Sequence, residues 1–390
     1  MSIQSLLDYI SVIPDTRQQG KVKHKLSDIL FLTVCAIIAG ADEWTEIEDF
    51  GHERLEWLKK YGDFDNGIPV DDTIARVVSS IDSIAFEKMF IEWMQVCHEI
   101  TDGEIIAIDG KTVRGSYDKG KRKGAIHMVS AFSTENGVVL GQVKTDAKSN
   151  EITAIPELLN LLDLKKCLIT IDAMGCQKNI AAQIKDKKAD YLLAVKGNQG
   201  KLHQAFEENF PMKLFSGYEG DSFGTQEISH GRKETRLHIV SDVTLEFCDF
   251  EFEWKGLKKL CVALSFRQKK EEKSAEGVSI RYYISSKDMD AKEFAYAIRS
   301  HWQIENSLHW ILDAKMNEDA SRIRRGNAAE IISGIKKMAL NLLRDYKGFK
   351  AGMKRKRKKA ALSTCYIEEV LAACAAPGFR DKEMNDLTKI

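Results

Sequence analysis

Proline is scarce in this chain, 5 in 390 residues, and no Ser/Gly-rich tract occurs, so the composition offers no long disordered linker. Net charge is absent as well. The 58 basic side chains match 58 acidic ones, so any case for a polyanionic partner must rest on local charge. The eight cysteines (Cys35, Cys97, Cys167, Cys176, Cys248, Cys261, Cys365 and Cys374) never form a C-x-x-C pair. Their spacing therefore suggests neither a zinc ribbon nor a disulfide framework. The longest apolar run, Ile29 to Ala39, is too short to span a bilayer and reads as a buried helix. With no signal peptide in view, a reducing cytoplasm and no membrane partner are expected.

What is present is ordinary for a globular protein: 44% apolar and 30% charged residues, in a chain long enough for two or three domains. The charge is unevenly placed. Lys111 to Lys123 holds six basic residues against Asp118, and Lys347 to Lys359 holds eight against none. Periodicity predicts a helical N-terminal domain over residues 1–100, in which Asp71 or Asp72 caps a helix. That pattern suits a helix-turn-helix for DNA ends and any helical bundle equally well. From residue 101 the period changes to strand. Ile105 to Ile108, His127 to Ser133 and Val138 to Lys144 read as strands, the last two joined by an Asn-Gly turn. Alternating helices and strands follow to residue 199. Residues 200–286 read as a β-rich insertion that includes a strand at Phe250–Trp254. Residues 287–345 carry a long helix from Ala291 to Asp313, and 346–390 form a basic tail. The fold class is α/β, a mixed sheet covered by helices.

Two aspartates end apolar strands: Asp109 after Ile-Ala-Ile and Asp172 after Ile-Thr-Ile. Strand ends of an α/β sheet are where ligands and catalytic groups gather, although a turn residue or helix N-cap is the bland alternative. Further on, His301, Glu305, His309 and Asp313 recur every four residues. They form one polar stripe on a helix otherwise rich in Trp302, Ile304, Leu308, Trp310, Ile311 and Leu312. Such a stripe faces either a metal-bound site or an internal hydrogen-bond network. Zinc held by His301, Glu305 and His309 fits the spacing too, whereas two Asp and one Glu favour Mg²⁺ or Mn²⁺.

The strings Ala-Ile-Asp-Gly-Lys-Thr (107–112), Lys-Ser-Asn-Glu-Ile-Thr-Ala-Ile-Pro (148–156), Thr-Ile-Asp-Ala-Met-Gly-Cys-Gln (170–177), Tyr-Leu-Leu-Ala-Val-Lys-Gly-Asn-Gln (191–199) and His-Trp-Gln-Ile-Glu-Asn-Ser-Leu-His-Trp (301–310) closely resemble the H-repeat-associated proteins. These are DDE-type insertion-sequence transposases often found beside Rhs elements. The resemblance spans essentially the whole chain and implies an RNase H-like core with an inserted β-domain. It places the catalytic, metal-binding triad on Asp109, Asp172 and Glu305, with two Mg²⁺ or Mn²⁺ ions per site. It implies double-stranded DNA as partner, both element ends and target, a homodimer on paired ends, and association with the bacterial nucleoid. A domesticated DNA-binding relative and a nuclease without strand transfer are the alternatives. Better-studied relatives carry Tyr-x-x-Arg-Trp-x-Ile-Glu and a following Lys around the glutamate. Here Ile298, His301 and Leu312 stand at the Tyr, Arg and Lys places. A phosphate clamp would therefore fall to His301, Lys196 or Arg299. His309 and Asp313 are expected to support the site, Asp313 by orienting His309. DNA contacts are expected from Lys111, Arg114, Lys121, Arg122 and Lys123, from Arg322, Arg324 and Arg325, and from Lys354, Arg355, Lys356, Arg357, Lys358 and Lys359.

Overall fold

The computed structural model describes residues 3–117, 124–145, 151–211, 218–229, 232–269 and 276–373. In chain order they form α1 (Ile3–Ser11), α2 (Leu26–Ala39), α3 (Trp44–Leu58), α4 (Asp71–Ser79), α5 (Ser83–Cys97), β1 (Ile105–Val113), β2 (Ile126–Ser133), β3 (Val138–Lys144), α6 (Glu151–Leu161), β4 (Leu168–Ile171), α7 (Lys178–Asp186), β5 (Asp190–Val195) and α8 (Gly200–Asn209). There follow β6 (Ser222–Ser229), β7 (Arg232–Asp242), α9 (Cys248–Glu253), β8 (Lys259–Lys269), β9 (Glu276–Ser285), α10 (Ala291–His301), a π-helical turn (Ile304–His309), α11 (Trp310–Met316), α12 (Ala328–Asp345), α13 (Met353–Leu362) and α14 (Thr364–Ala372). The architecture is mixed α/β. Nine strands join in the order β3-β2-β1-β4-β5-β9-β8-β7-β6, with β1, β4 and β5 mutually parallel. The first five positions, 3-2-1-4-5, are those of an RNase H-like core.

The described residues group into two compact units. One draws on Met1–Ile100, Gly110–Asn150 and Glu305–Ile390, the other on Thr101–Asp109 and Glu151–Ile304. In the first, α2 is buried over nearly its whole length and ends at Gly40, whose φ of 113° suits a residue without a Cβ. α3 starts with a capping box between Glu43 and Glu46. Val70 takes the cap of α4, and Asp71 and Asp72 fall in its first turn, where the helix dipole favours acids. The β2–β3 turn has Gly137 at φ 70°, as the Asn-Gly pair predicts. α12 is unanticipated: it is buried along almost all its 18 residues, yet Glu330, Lys336, Lys337 and Asn341 lie among them. Such polar insertions disguise an apolar period. The basic segment after residue 346 is not a tail over its described part, because α13 and α14 are folded helices with buried faces.

In the second unit, β5 pairs antiparallel with β9, so the inserted strands extend the core's own sheet edge. β6 carries no apolar stripe, which is why its sequence does not announce a strand. Phe250–Trp254, read as a strand, is helical instead. Its Phe/Glu alternation does not bury one face: Phe250 packs on Phe247, Trp254 is buried, and Phe252 is 90% exposed. The long helix expected from Ala291 to Asp313 is also corrected. It breaks into α10, the π turn and α11. Among the described cysteines, Cys97 is disulfide-bonded and six others are free, so no framework of several bridges exists there.

Candidate active site

β1 and β4 run parallel, with Ile105 to Ile108 paired to Leu168 to Ile171. Their β-branched residues fill the interior and are almost fully buried. The next residue on each strand is the aspartate. The register that pairs Ile108 with Ile171 therefore sets Asp109 beside Asp172, both half-buried. Asp172 follows the end of β4, but β1 runs on to Val113, so Asp109 lies within its strand and does not end it as expected. One Asp172 oxygen accepts the backbone N–H groups of Met174 (2.9 Å) and Gly175 (3.4 Å), so the loop folds back on its own carboxylate.

The Lys-Gly-Asn-Gln string after β5 supports that loop. Asn198 donates its amide to the Ala173 carbonyl (2.6 Å), and Gln199 donates to that of Cys176 (2.8 Å). Lys196, which the string brought forward as a phosphate partner, is exposed. Asn198 and Gln199 escape a reading of the sequence, since loop amides give no periodic signal. His301 pairs its Nδ1 with the Thr170 hydroxyl at 2.9 Å, two residues before Asp172. Arg299 is held by Glu227 of β6.

Glu305 lies on the π-helical turn, between the buried Ile304 and Leu308. Such turns occur often at functional sites, because they shift side chains out of the α-helical register. Glu305 is 56% exposed, and its Oε2 lies 3.0 Å from Nδ1 of His309, which is buried. Burial pushes the His309 pKa down, while the Glu305 carboxylate pulls it up. Arg344 of α12 donates to the carbonyls of Ser307 in the turn and of Gly137 in the β2–β3 hairpin. Burial lowers the Arg344 pKa to about 10. Asp313 does not orient His309. It pairs with Lys111 at 2.7 Å, and Glu305 takes the imidazole. The helix phase accounts for this, since the π turn breaks the four-residue stripe between Glu305 and Asp313.

Glu305 and His309 pair within the first unit, and Asp109 and Asp172 lie side by side in the second. The adjacent Asp109 and Asp172 carboxylates make an oxygen donor pair that fits a hard divalent ion. The tryptophans also differ from expectation. Trp302 and Trp310 are about half exposed, with the cations of Arg281 and Lys315 over their rings.

The basic residues fall into three groups. Arg114, Arg322, Arg325, Lys354, Arg355 and Lys358 are exposed, and Arg325 pairs with Asp72 at 3.3 Å. Lys359 is half-buried, with its ammonium over the Phe349 and Tyr366 rings. Lys111, Lys356 and Arg357 are buried, and Arg324 donates to the Gly115 carbonyl at 2.8 Å. Lys356 donates to the carbonyls of Leu343 and Tyr346, and Arg357 to the carbonyls of Ile37 and Lys315 and to the Asp42 carboxylate. These charges are occupied inside the protein and are not presented to a phosphate backbone. Lys121, Arg122 and Lys123 lie outside the described residues.

Residues 100–342 match the family described as "Transposase DDE domain", and residues 7–94 match the family described as "DDE_Tnp_1-associated". The chain is 87% identical over 390 residues to "Putative transposase YncI" of Escherichia coli O157:H7, covering 100% of both chains. It is 60% identical over 373 residues to "H repeat-associated putative transposase YhhI" of Escherichia coli K12, covering 95% of this chain and 99% of that one. A solved structure titled "Cryo-EM structure of piggyBac transposase synaptic complex with hairpin DNA (SNHP)" aligns at 12% identity and a TM-score of 0.42, over 100% of this chain and 81% of that one. No helix among the described residues is long and apolar enough to cross a membrane.

Proposed function

The chain belongs to the family of DDE-domain transposases, and from this we propose that it cuts and joins DNA at the ends of an insertion-sequence element, using Asp109, Asp172 and Glu305 as its acidic triad. The observation that carries the assignment is the parallel β1–β4 register, which delivers two carboxylates to one edge. Glu305, paired with His309, is the third carboxylate of this reading.

Two Mg²⁺ or Mn²⁺ ions bound there would activate the attacking hydroxyl and stabilise the attacking and leaving oxygens of an in-line displacement. The chain's residues do the rest. Asp109 presents its oxygens from within β1 and Asp172 from just past the end of β4, and the Asn198 and Gln199 amides hold the Asp172 loop. His309 fixes one Glu305 oxygen. Exposed cations, among them Arg114, Arg322, Lys354, Arg355 and Lys358, bind the phosphate backbone without reading sequence. Two ends held together call for two copies of the chain.

The test incubates full-length protein with element-end DNA and Mg²⁺ or Mn²⁺, then adds a target plasmid. Cleavage followed by joining is expected. Asp109→Asn and Asp172→Asn should each abolish cleavage while DNA binding persists. Cleavage without joining would leave a nuclease, and binding without either would leave a domesticated relative.

A further inference from the structure

Lys111 stands two residues after Asp109 on β1, so both side chains leave the same face of the strand. Its side chain is 9% exposed, and its ammonium meets three carboxylates: Asp313 at 2.7 Å, Asp319 at 3.0 Å and Glu318 at 3.2 Å. All three follow the Glu305 turn, at α11 and the loop closing it. Glu318 also donates its backbone N–H to the Leu312 carbonyl (3.0 Å) and accepts from the Ser333 hydroxyl at 2.9 Å. Lys337 donates to Ser333 (2.8 Å) and to Gln142 of β3 (2.5 Å), which carries the chain of contacts into the sheet.

A cation this buried is costly unless paired, and removing it strands the acids around it. Enclosed by Asp313, Glu318 and Asp319, the Lys111 ammonium is held inside the protein. That excludes the backbone contact its place in a basic run suggests.

We propose that Lys111 is a positioning residue, whose ammonium ties the strand bearing Asp109 to the segment that follows Glu305 and so holds the metal-binding carboxylates in place. The proposal rests on reading Asp109 and Glu305 as metal ligands. The contact at Gly115 reinforces it: a Cβ there would lie 2.1 Å from the Ser321 carbonyl oxygen and 2.7 Å from that of Asp319, so the end of β1 and this segment already meet backbone to backbone.

Lys111→Met and Lys111→Arg, made in the full chain, test it by three measurements. Amide hydrogen exchange over residues 304–319 should rise in Lys111→Met and return towards wild type in Lys111→Arg. Calorimetric Mn²⁺ affinity without DNA should fall about 10–100-fold in Lys111→Met, as for other groups that orient metal ligands. The salt slope of DNA binding should not change. A slope reduced by about one would make Lys111 a phosphate contact and overturn the proposal. So would unaltered exchange, or a uniform rise over the whole of α12 and α14. If wild-type protein binds no Mn²⁺, the metal reading fails while the exchange pattern still judges the positioning role. If Lys111→Met does not fold, Asp313→Asn removes only the half-exposed partner and should shift exchange in the same direction by less; no shift there overturns the proposal.

Discussion

Glu305 and Asp313 are both carboxylates on one stretch of chain, and their surroundings separate their roles. Glu305 is exposed beside a buried imidazole, whereas Asp313 is engaged by an ammonium. Glu305→Gln should therefore be inactive in saturating Mg²⁺ and in Mn²⁺, while Asp313→Asn keeps measurable cleavage. The reverse ranking would move the third ligand to Asp313. His309→Asn removes the group that fixes Glu305 and should lower cleavage about 10–100-fold with DNA affinity unchanged. An activity loss matched by an equal affinity loss would deny His309 that part. Residue type and spacing alone bring Asp109, Asp172 and Glu305 forward as candidates, the two aspartates because each follows a buried apolar run. The partner of each stays open at that level, since a sequence offers several cations to every acid.

At the scale of elements, the π-helical turn and the end of β1 are held by contacts that leave no local sequence signature. Arg344 donates to Ser307 in the turn and Gly137 in the hairpin, 37 and 207 residues away in sequence. Arg344→Met should cost about 2–3 kcal/mol by removing charge-assisted hydrogen bonds, read as a lower denaturant midpoint. It should also reduce cleavage more than DNA binding. Equal stability in the variant would show that water replaces the guanidinium without loss. Gly115→Ala tests the other contact: overpacking against the carbonyls of Ser321 and Asp319 should cost about 1–3 kcal/mol. A thermal midpoint within error of wild type would mean that the 319–321 segment yields freely.

For the whole molecule, the question is which of the many cations face a partner. The run from Lys347 to Lys359 looks uniform in sequence, yet α13 divides it. Lys354, Arg355 and Lys358 are exposed, and Lys356 and Arg357 are buried on backbone carbonyls and Asp42. Replacing the three exposed residues by Gln should weaken element-end binding and flatten its salt dependence by about 0.9 for each phosphate no longer neutralised. Lys356→Gln and Arg357→Gln should instead lower the thermal midpoint and leave the slope alone. A flattened slope from the buried pair would falsify this division.

While the continuation of β1 to Val113 was not foreseen, local features of the chain were enough for the apolar strand run before Asp109, the strand that ends before Asp172, the Asn-Gly hairpin, the buried α2 and the α/β class. Each depends on a period, a turn dipeptide or a residue type within a few positions of itself. Long-range packing was needed to make Lys111 an internal ion-pair centre, to set Glu305 on a π turn, to bury α12 with lysines in it, and to extend the core sheet with the inserted strands. Those outcomes depend on desolvation and pairing between residues far apart in the chain. A charge reads the same in sequence whether it meets water, a carboxylate or a phosphate, and only the fold settles which one it meets.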